Sequence, residues 1–461
     1  MTRADSRHAS GLARREGRVS CKMARFCSRG ELRVGPIRLP SGERLDMSWF
    51  GVIALVLIVL KWSTQLWLEW LNERNVRAHS PGVPELLKDI VDQAAYDRTV
   101  SYTLEKSTLR KWELSYHAMV LGITLFSGIL PRFFEVFCIQ FGRSTWAMGA
   151  FLFAIGCLLS LLDLPFDWYA QFRLEARFGF NTATLRLWWM DRCKSLCLGV
   201  VLGYPLLVLL VFLMQKSGRT WWLWAWAAIM VFQLLLTVLA PVLILPLFNK
   251  FSPLPEGSLR DRLLDLARRT GFQARSIQVM DGSKRSRHSN AFFTGFGRFR
   301  KIVLFDTLLQ QLMERELEAV LAHEIGHFKK KHIPKMVGAS VVGSLAGFYI
   351  LAWLLRHGWF YSAFGFAPST LTAGLLLFGL LGGVVSFWLS PLLHWWSRRY
   401  EYQADNFAAG VMGDTASLIG ALRKLNEKNL SNLTPHPLFS RFYYSHPTLL
   451  EREQALRSPS R

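Results

Sequence analysis

Residues 323–327 of this chain are His323-Glu324-Ile325-Gly326-His327. On a helix, positions i and i+4 share a face, so both imidazoles can reach one zinc ion at about 2.0–2.1 Å. Glu324 follows the first ligand and projects beside the metal. There it can accept a proton from an attacking water that the metal activates. The plain alternative is a helix that happens to carry two histidines. A catalytic zinc usually has three protein ligands and one open position, so a third is required. The segment Tyr400-Glu401-Tyr402-Gln403-Ala404-Asp405 offers two carboxylates four residues apart, on one helix face. Glu401 is the expected third ligand. Asp405, one turn on, is expected near the metal, either orienting a histidine or donating a proton. Surface pairing with Arg398 and Arg399 competes with both readings. Tyr444-Ser445-His446-Pro447 adds a histidine able to donate to the oxyanion of peptide hydrolysis, although spacing alone favours an ordinary loop histidine.

Elements must exist to position these groups. Residues 313–331 place glutamates early and lysines late, as the helix dipole favours, and repeat Leu317, Val320, Leu321 and Ile325 at helical spacing. Residues 258–271 read as an amphipathic helix stopped by Gly271, and 276–280 and 301–305 as short strands. Between the strands, 288–297 carries a polar start, an aromatic run and a glycine turn. A soluble segment at 249–335 and a second at 391–461 therefore hold all the candidate chemistry.

The rest of the chain is membrane-like. Hydrophobic residues make up 51% of it, with a mean hydropathy of +0.20. They gather at 48–71, 115–131, 145–162, 195–214, 221–248, 336–355 and 370–390. Each block is long enough, or nearly so, to cross about 30 Å of hydrocarbon. The net charge of +22 could suit nucleic acid, but the apolar blocks assign it to loops beside a bilayer, and no nucleic-acid partner is expected. With seven spans, 72–114, 163–194, 249–335 and 391–461 share one side. That side carries nearly all the Lys and Arg, so it is expected to be cytoplasmic. Residues 1–46 then face outward with 11 Lys or Arg against 5 Asp or Glu, which conflicts with this orientation. Translation from Met47 would remove the conflict. The segment is expected to be a basic, disordered extension. The six cysteines form no disulfide framework, and Cys193 and Cys197 read as small apolar residues on a helix.

Several segments in this order resemble the type I CAAX prenyl protease family, the Ste24-like peptidases. They are 302–309, 288–297, 400–405, 429–437, 444–447 and the linker 172–181, besides the motif at 323–327. The resemblance covers roughly 60–455. It implies an integral membrane protein of seven transmembrane helices forming a barrel around a water-filled chamber, with a small α+β zinc metallopeptidase (gluzincin) domain facing it. It divides the chain into a five-helix membrane domain, 47–248, and a peptidase domain, 249–461, that includes two further spans. It implies one Zn2+ per chain on His323, His327 and Glu401, with Glu324 as base. By the same resemblance Asp405 matches a proton donor, His446 an oxyanion stabiliser and Arg452 a supporting residue. Asn290 falls in the edge strand that pairs with an extended substrate.

The expected function is hydrolysis of peptide bonds in CAAX-type or membrane-associated protein substrates, in a bilayer. A non-catalytic scaffold or transporter is the alternative, but the spans carry few of the charges that mark a transport path. The C-terminal Arg457-Ser458-Pro459-Ser460-Arg461 lacks the dilysine signal of eukaryotic members, and the loops are compact. These suggest a bacterial inner membrane and leave open whether substrates are prenylated.

Overall fold

A computed structural model describes residues 48–458, except Leu86, Leu87, Ile90, 273–275 and 295–300. The expectations for residues 1–46 and for the glycine turn at 295–297 lie outside the described residues.

Among the described residues, six helices are long and apolar enough to cross a membrane: Trp49–His79, Thr145–Arg177, Leu185–Lys216, Gly218–Phe248, His332–Leu354 and Leu371–Met412. A seventh span is broken. Gln93–Phe126 and Ile129–Phe141 pass the test as a pair bent by 59°. The break has a local cause: Gly128 adopts a left-handed φ of 74°, and Pro131 in the next turn fits only where a helix begins. The seven expected blocks fall on these seven spans.

The helices outrun the bilayer. Leu371–Met412 has 42 residues, about 63 Å at 1.5 Å per residue, against a hydrocarbon core of about 30 Å. Its second half therefore projects from the membrane and carries Glu401 and Asp405. The spans also bury little against one another: of the most apolar window, 17% is buried in Leu185–Lys216 and none in Gly218–Phe248. A solid bundle would bury a stripe along every helix. Much of each span's surface is thus left free of protein contact, and the spans are pinned by an apolar cluster that includes Phe134, Phe151, Phe360, Tyr361, Phe366 and Leu377.

The projecting part is small and mixed. Strands β1 (Phe251–Pro253), β2 (Ser276–Met280), β3 (Ala291–Thr294) and β4 (Lys301–Phe305) form a sheet in the order β1-β2-β4-β3. β2 and β4 run parallel, and the outer pairings are antiparallel. Parallel central strands are covered on both faces, which is why Ile302, Val303 and Leu304 are all buried in succession. The helices Ser258–Arg269 and Glu314–Lys329 contribute Leu263, Leu266, Leu317, Leu321 and Ile325 to the same core. Each such side chain fully buried contributes about 1.5–3 kcal/mol. β3 lies at the sheet edge.

Candidate active site

The motif helix, Glu314–Lys329, presents one buried face and one active face. Its start is fixed by Glu316, whose Oε2 accepts from the Met313 N–H at 2.8 Å and whose carboxylate pairs with Lys424. Glu318 is held by Arg262 at 2.8 Å and Arg269 at 3.1 Å, from the helix Ser258–Arg269. The helix then packs along Leu371–Met412, and Gly326 is the point of closest approach. A Cβ at Gly326 would stand 3.0 Å from Ala404 Cα. Ala404 and Ala408 are fully buried in that seam. The small-residue contact lets Glu401, one turn before Ala404, come level with the two histidines.

His323 Nε2 and His327 Nε2 face each other at 3.2 Å. Glu401 bridges them, with Oε2 at 3.4 Å from His323 Nε2 and Oε1 at 3.3 Å from His327 Nε2. Three donors thus converge on one point, and Glu401 itself is 3% exposed. Two imidazole nitrogens and a carboxylate gathered this closely, largely out of water, form a donor set that could hold a metal ion.

The surrounding groups set protonation and aim. His323 Nδ1 lies 2.8 Å from Asp405 Oδ1, which fixes the Nδ1–H tautomer and turns Nε2 inward. Asp405 is held in turn by the Arg452 guanidinium, Nε donating at 2.8 Å. Asp405 therefore spends both oxygens on neighbours, His323 and Arg452. Burial disfavours a charged His323, but the hydrogen bonds to Asp405 and Glu401 outweigh it and push the imidazole up to about 9. Glu324 points beside the cluster, half-buried and without a hydrogen bond or ion pair to any described residue. Burial raises it above the ordinary carboxylate range.

His446 is the most exposed member, its side chain 64% exposed, with Nδ1 at 2.8 Å from Glu401 Oε2. Its loop is fixed by Arg398, which donates to the Tyr444 carbonyl at 2.7 Å. A cavity of about 690 Å³ opens here, lined among others by Glu69, Tyr102, Glu175, Tyr444, His446 and Arg452. Asn290 stands apart. It is exposed at the start of edge strand β3, and its carbonyl accepts from the Phe305 N–H at 3.1 Å. No contact among the described residues links it to the cluster.

Sequence reasoning missed His332 and Gln403. His332 Nδ1 lies 3.1 Å from His327 Nδ1, and its Nε2 lies 2.9 Å from Gln403 Oε1. It also missed a clamp behind the sheet. His288 stacks on Phe180 at 4.0 Å and contacts both Glu175, at 3.2 Å, and Asn429, at 3.1 Å. Glu175 in turn accepts from the Tyr102 hydroxyl at 2.6 Å. No helical or strand periodicity joins these positions, so no pattern could have paired them.

Comparison with known proteins agrees along the chain. Residues 72–250 match a family described as CAAX prenyl protease N-terminal, five membrane helices, and residues 253–460 match peptidase family M48. The CAAX prenyl protease 1 homolog of Arabidopsis thaliana is 34% identical over 429 residues, covering 88% of this chain and 96% of that protein. CAAX prenyl protease 1 of Saccharomyces cerevisiae is 35% identical, covering 81% and 88%. The crystal structure of S. mikatae Ste24p superposes with a TM-score of 0.83 at 32% identity, covering 89% of this chain and 99% of that one.

Proposed function

We propose, because this chain belongs to the CAAX prenyl protease group of peptidase family M48 and is a multi-pass membrane metallopeptidase, that its metal is one zinc ion held by His323, His327 and Glu401. The carrying observation is the triangle of 3.2, 3.3 and 3.4 Å between the donor atoms. A tetrahedral zinc with bonds of about 2.0–2.1 Å separates its ligand atoms by about 3.3–3.4 Å, so the residues present fit it. Bound there, zinc would polarise the scissile carbonyl and acidify water.

The chain's own groups supply the rest. Glu324, unpartnered and raised by burial, takes the proton of the attacking water and delivers it to the departing amine. His446, with Nδ1 at 2.8 Å from Glu401 Oε2, is placed to offer a ring N–H to the oxyanion. Asp405 and Arg452 hold His323 in register. The extended substrate adds as a strand along the outer side of β3 beginning at Asn290, by backbone pairing.

The substrate is a peptide or protein. We assign the chain to C-terminal CAAX processing of prenylated or membrane-associated chains, supported by the names of its relatives and by the membrane spans that carry the site. The basic side that bears the site is cytoplasmic in this reading. The membrane is a bacterial inner membrane, supported by tight turns such as 142–144 between spans; the relatives named above are eukaryotic. The test is cleavage of a farnesylated CAAX peptide beside its unprenylated twin, with zinc content measured and Glu324→Ala as control. Zinc-dependent cleavage of the prenylated peptide, absent in the variant, supports the assignment. Cleavage of the twin alone would redirect it to general quality control, and a metal-free active protein would sink the zinc assignment.

A further inference from the structure

His323 and His327 are oriented by different means. His323 leans on a carboxylate. His327 faces another histidine, nitrogen to nitrogen, Nδ1 to Nδ1 at 3.1 Å. Two imidazole nitrogens hydrogen-bond only if one carries the proton and the other is bare. The far side of His332 decides which. Its Nε2 lies 2.9 Å from Gln403 Oε1, and an amide oxygen only accepts. His332 Nε2 therefore carries a proton and Nδ1 is bare. His327 Nδ1–H donates to it, and His327 Nε2 is left as a bare lone pair facing His323 and Glu401. Turning the Gln403 amide over reverses every proton in the chain and puts a hydrogen on His327 Nε2, where a metal ligand must be bare. One setting of the amide is compatible with a metal.

We propose that His332 and Gln403 are positioning residues that fix the tautomer and aim of His327 and so set metal affinity. The inference rests on His327 being a metal ligand. The backbone is built for the contact. His332 is five residues beyond His327, which on a continuous helix would turn it about 140° away. The motif helix ends at Lys329, and Lys331 takes a left-handed φ of 56°, which folds His332 back. The ring is 1% exposed and stacks flat on Tyr400, with centroids 4.0 Å apart. Gln403 lies on the same helix as Glu401, two residues on, so one helix supplies a ligand and the acceptor that aims another. Gln403 is exposed, so replacing it leaves the core intact.

The test is zinc affinity of the purified full-length protein in detergent, stripped of metal and titrated against a chromophoric chelator. His332→Phe keeps the ring and its stack on Tyr400 but loses the acceptor. Its zinc Kd should rise about 10–100-fold, the usual effect of removing such an outer partner, and the visible absorption of the cobalt-substituted form should shift. Gln403→Leu should weaken zinc similarly, whereas Gln403→Glu, an acceptor only, should stay within about threefold of the parent. A folded His332→Phe with a Kd within twofold of the parent overturns the inference while leaving the ligand assignment standing. A parent protein that binds no zinc overturns the ligand assignment itself. Should His332→Phe fail to fold, equal affinities for Gln403→Leu and Gln403→Glu overturn the inference on their own.

Discussion

Gly326→Ala is the sharpest test of how the fold positions the third ligand. The added methyl would sit 3.0 Å from Ala404 Cα, 3.1 Å from its carbonyl oxygen and 3.2 Å from Phe407 Cβ. Carbon atoms pack at about 3.5–4.0 Å, so the two helices must part by roughly 0.5 Å. Metal sites tolerate about 0.2 Å in ligand distance. Glu401, one turn from Ala404, then falls short of its two imidazoles. Two effects on stability oppose each other. Alanine favours a helix interior by about 1 kcal/mol over glycine, and overpacking costs about 1–3 kcal/mol. The metal-free protein should therefore lose only about 0–2 kcal/mol, while zinc affinity falls on the order of 10–100-fold, the range seen when a ligand's support is disturbed. Thermal unfolding of the metal-free protein and chelator competition read the two separately. The atoms struck are mainly backbone, so adding Ala404→Gly should not restore affinity. Zinc affinity within twofold of the parent, in a folded variant, would refute the view that this seam sets the position of Glu401.

Further outcomes follow from the same geometry. Glu324→Gln should bind zinc as the parent does yet lose about 10²–10⁴-fold in kcat, read by peptide cleavage at matched metal occupancy. Metal uptake should depend on pH with a defined sign: His323 in the metal-free protein is protonated below about 9, and zinc must displace that proton. Apparent affinity should thus rise about tenfold per unit from pH 7 towards 9 and then flatten, with proton release visible by calorimetry in buffers of different ionisation enthalpy. The same shift makes the His323 contribution to metal-free stability present below about pH 6.5 and lost as pH rises through 9. Arg452→Ala leaves Asp405, 1% exposed, without its guanidinium and should cost about 3–5 kcal/mol in unfolding. Lys331→Gly relieves a left-handed lysine and should raise stability by about 1 kcal/mol, with affinity unchanged.

What sequence could show tracks how local the determining physics is. The motif helix and the strands 276–280 and 301–305 were legible because each depends on its own residues: dipole-matched charges, helical spacing and short β-branched runs. The spans were legible from hydropathy, but their lengths were not. The block at 115–131 is part of a helix that begins at Gln93 and is bent at Ser127-Gly128. Its first half carries many charged residues, most of them exposed or half-exposed, so a hydropathy window discards it. The pairing of Glu401 with the histidines could be expected from residue type alone. The reason they meet, a glycine opposite an alanine, could not, because a seam between residues 78 positions apart on two helices leaves no periodic trace. His332 escaped for a different cause. Its contact depends on a left-handed residue that is a lysine, where sequence would look for glycine or asparagine.

The clamp at His288 shows why the two halves of the chain work as one unit. β3 is an edge strand, and an isolated edge frays. Here the residues just before it are tied on both sides. Asn429 Oδ1 meets both His288 Nδ1 and the Ser289 N–H, and Thr307 donates to the His288 carbonyl. Glu175, in the extension of the span Thr145–Arg177, holds the other nitrogen of His288, and Tyr102 from the broken span holds Glu175. Two membrane helices thereby fix the approach to β3. A strand added to β3 is then registered against the membrane walls as well as against the sheet. On the proposed strand addition, that register would choose the bond presented for cleavage, and a one-residue slip would exchange the faces of every side chain. In that proposal the membrane helices would act on the chemistry through the start of a four-residue strand, some 30 residues before the motif that performs it.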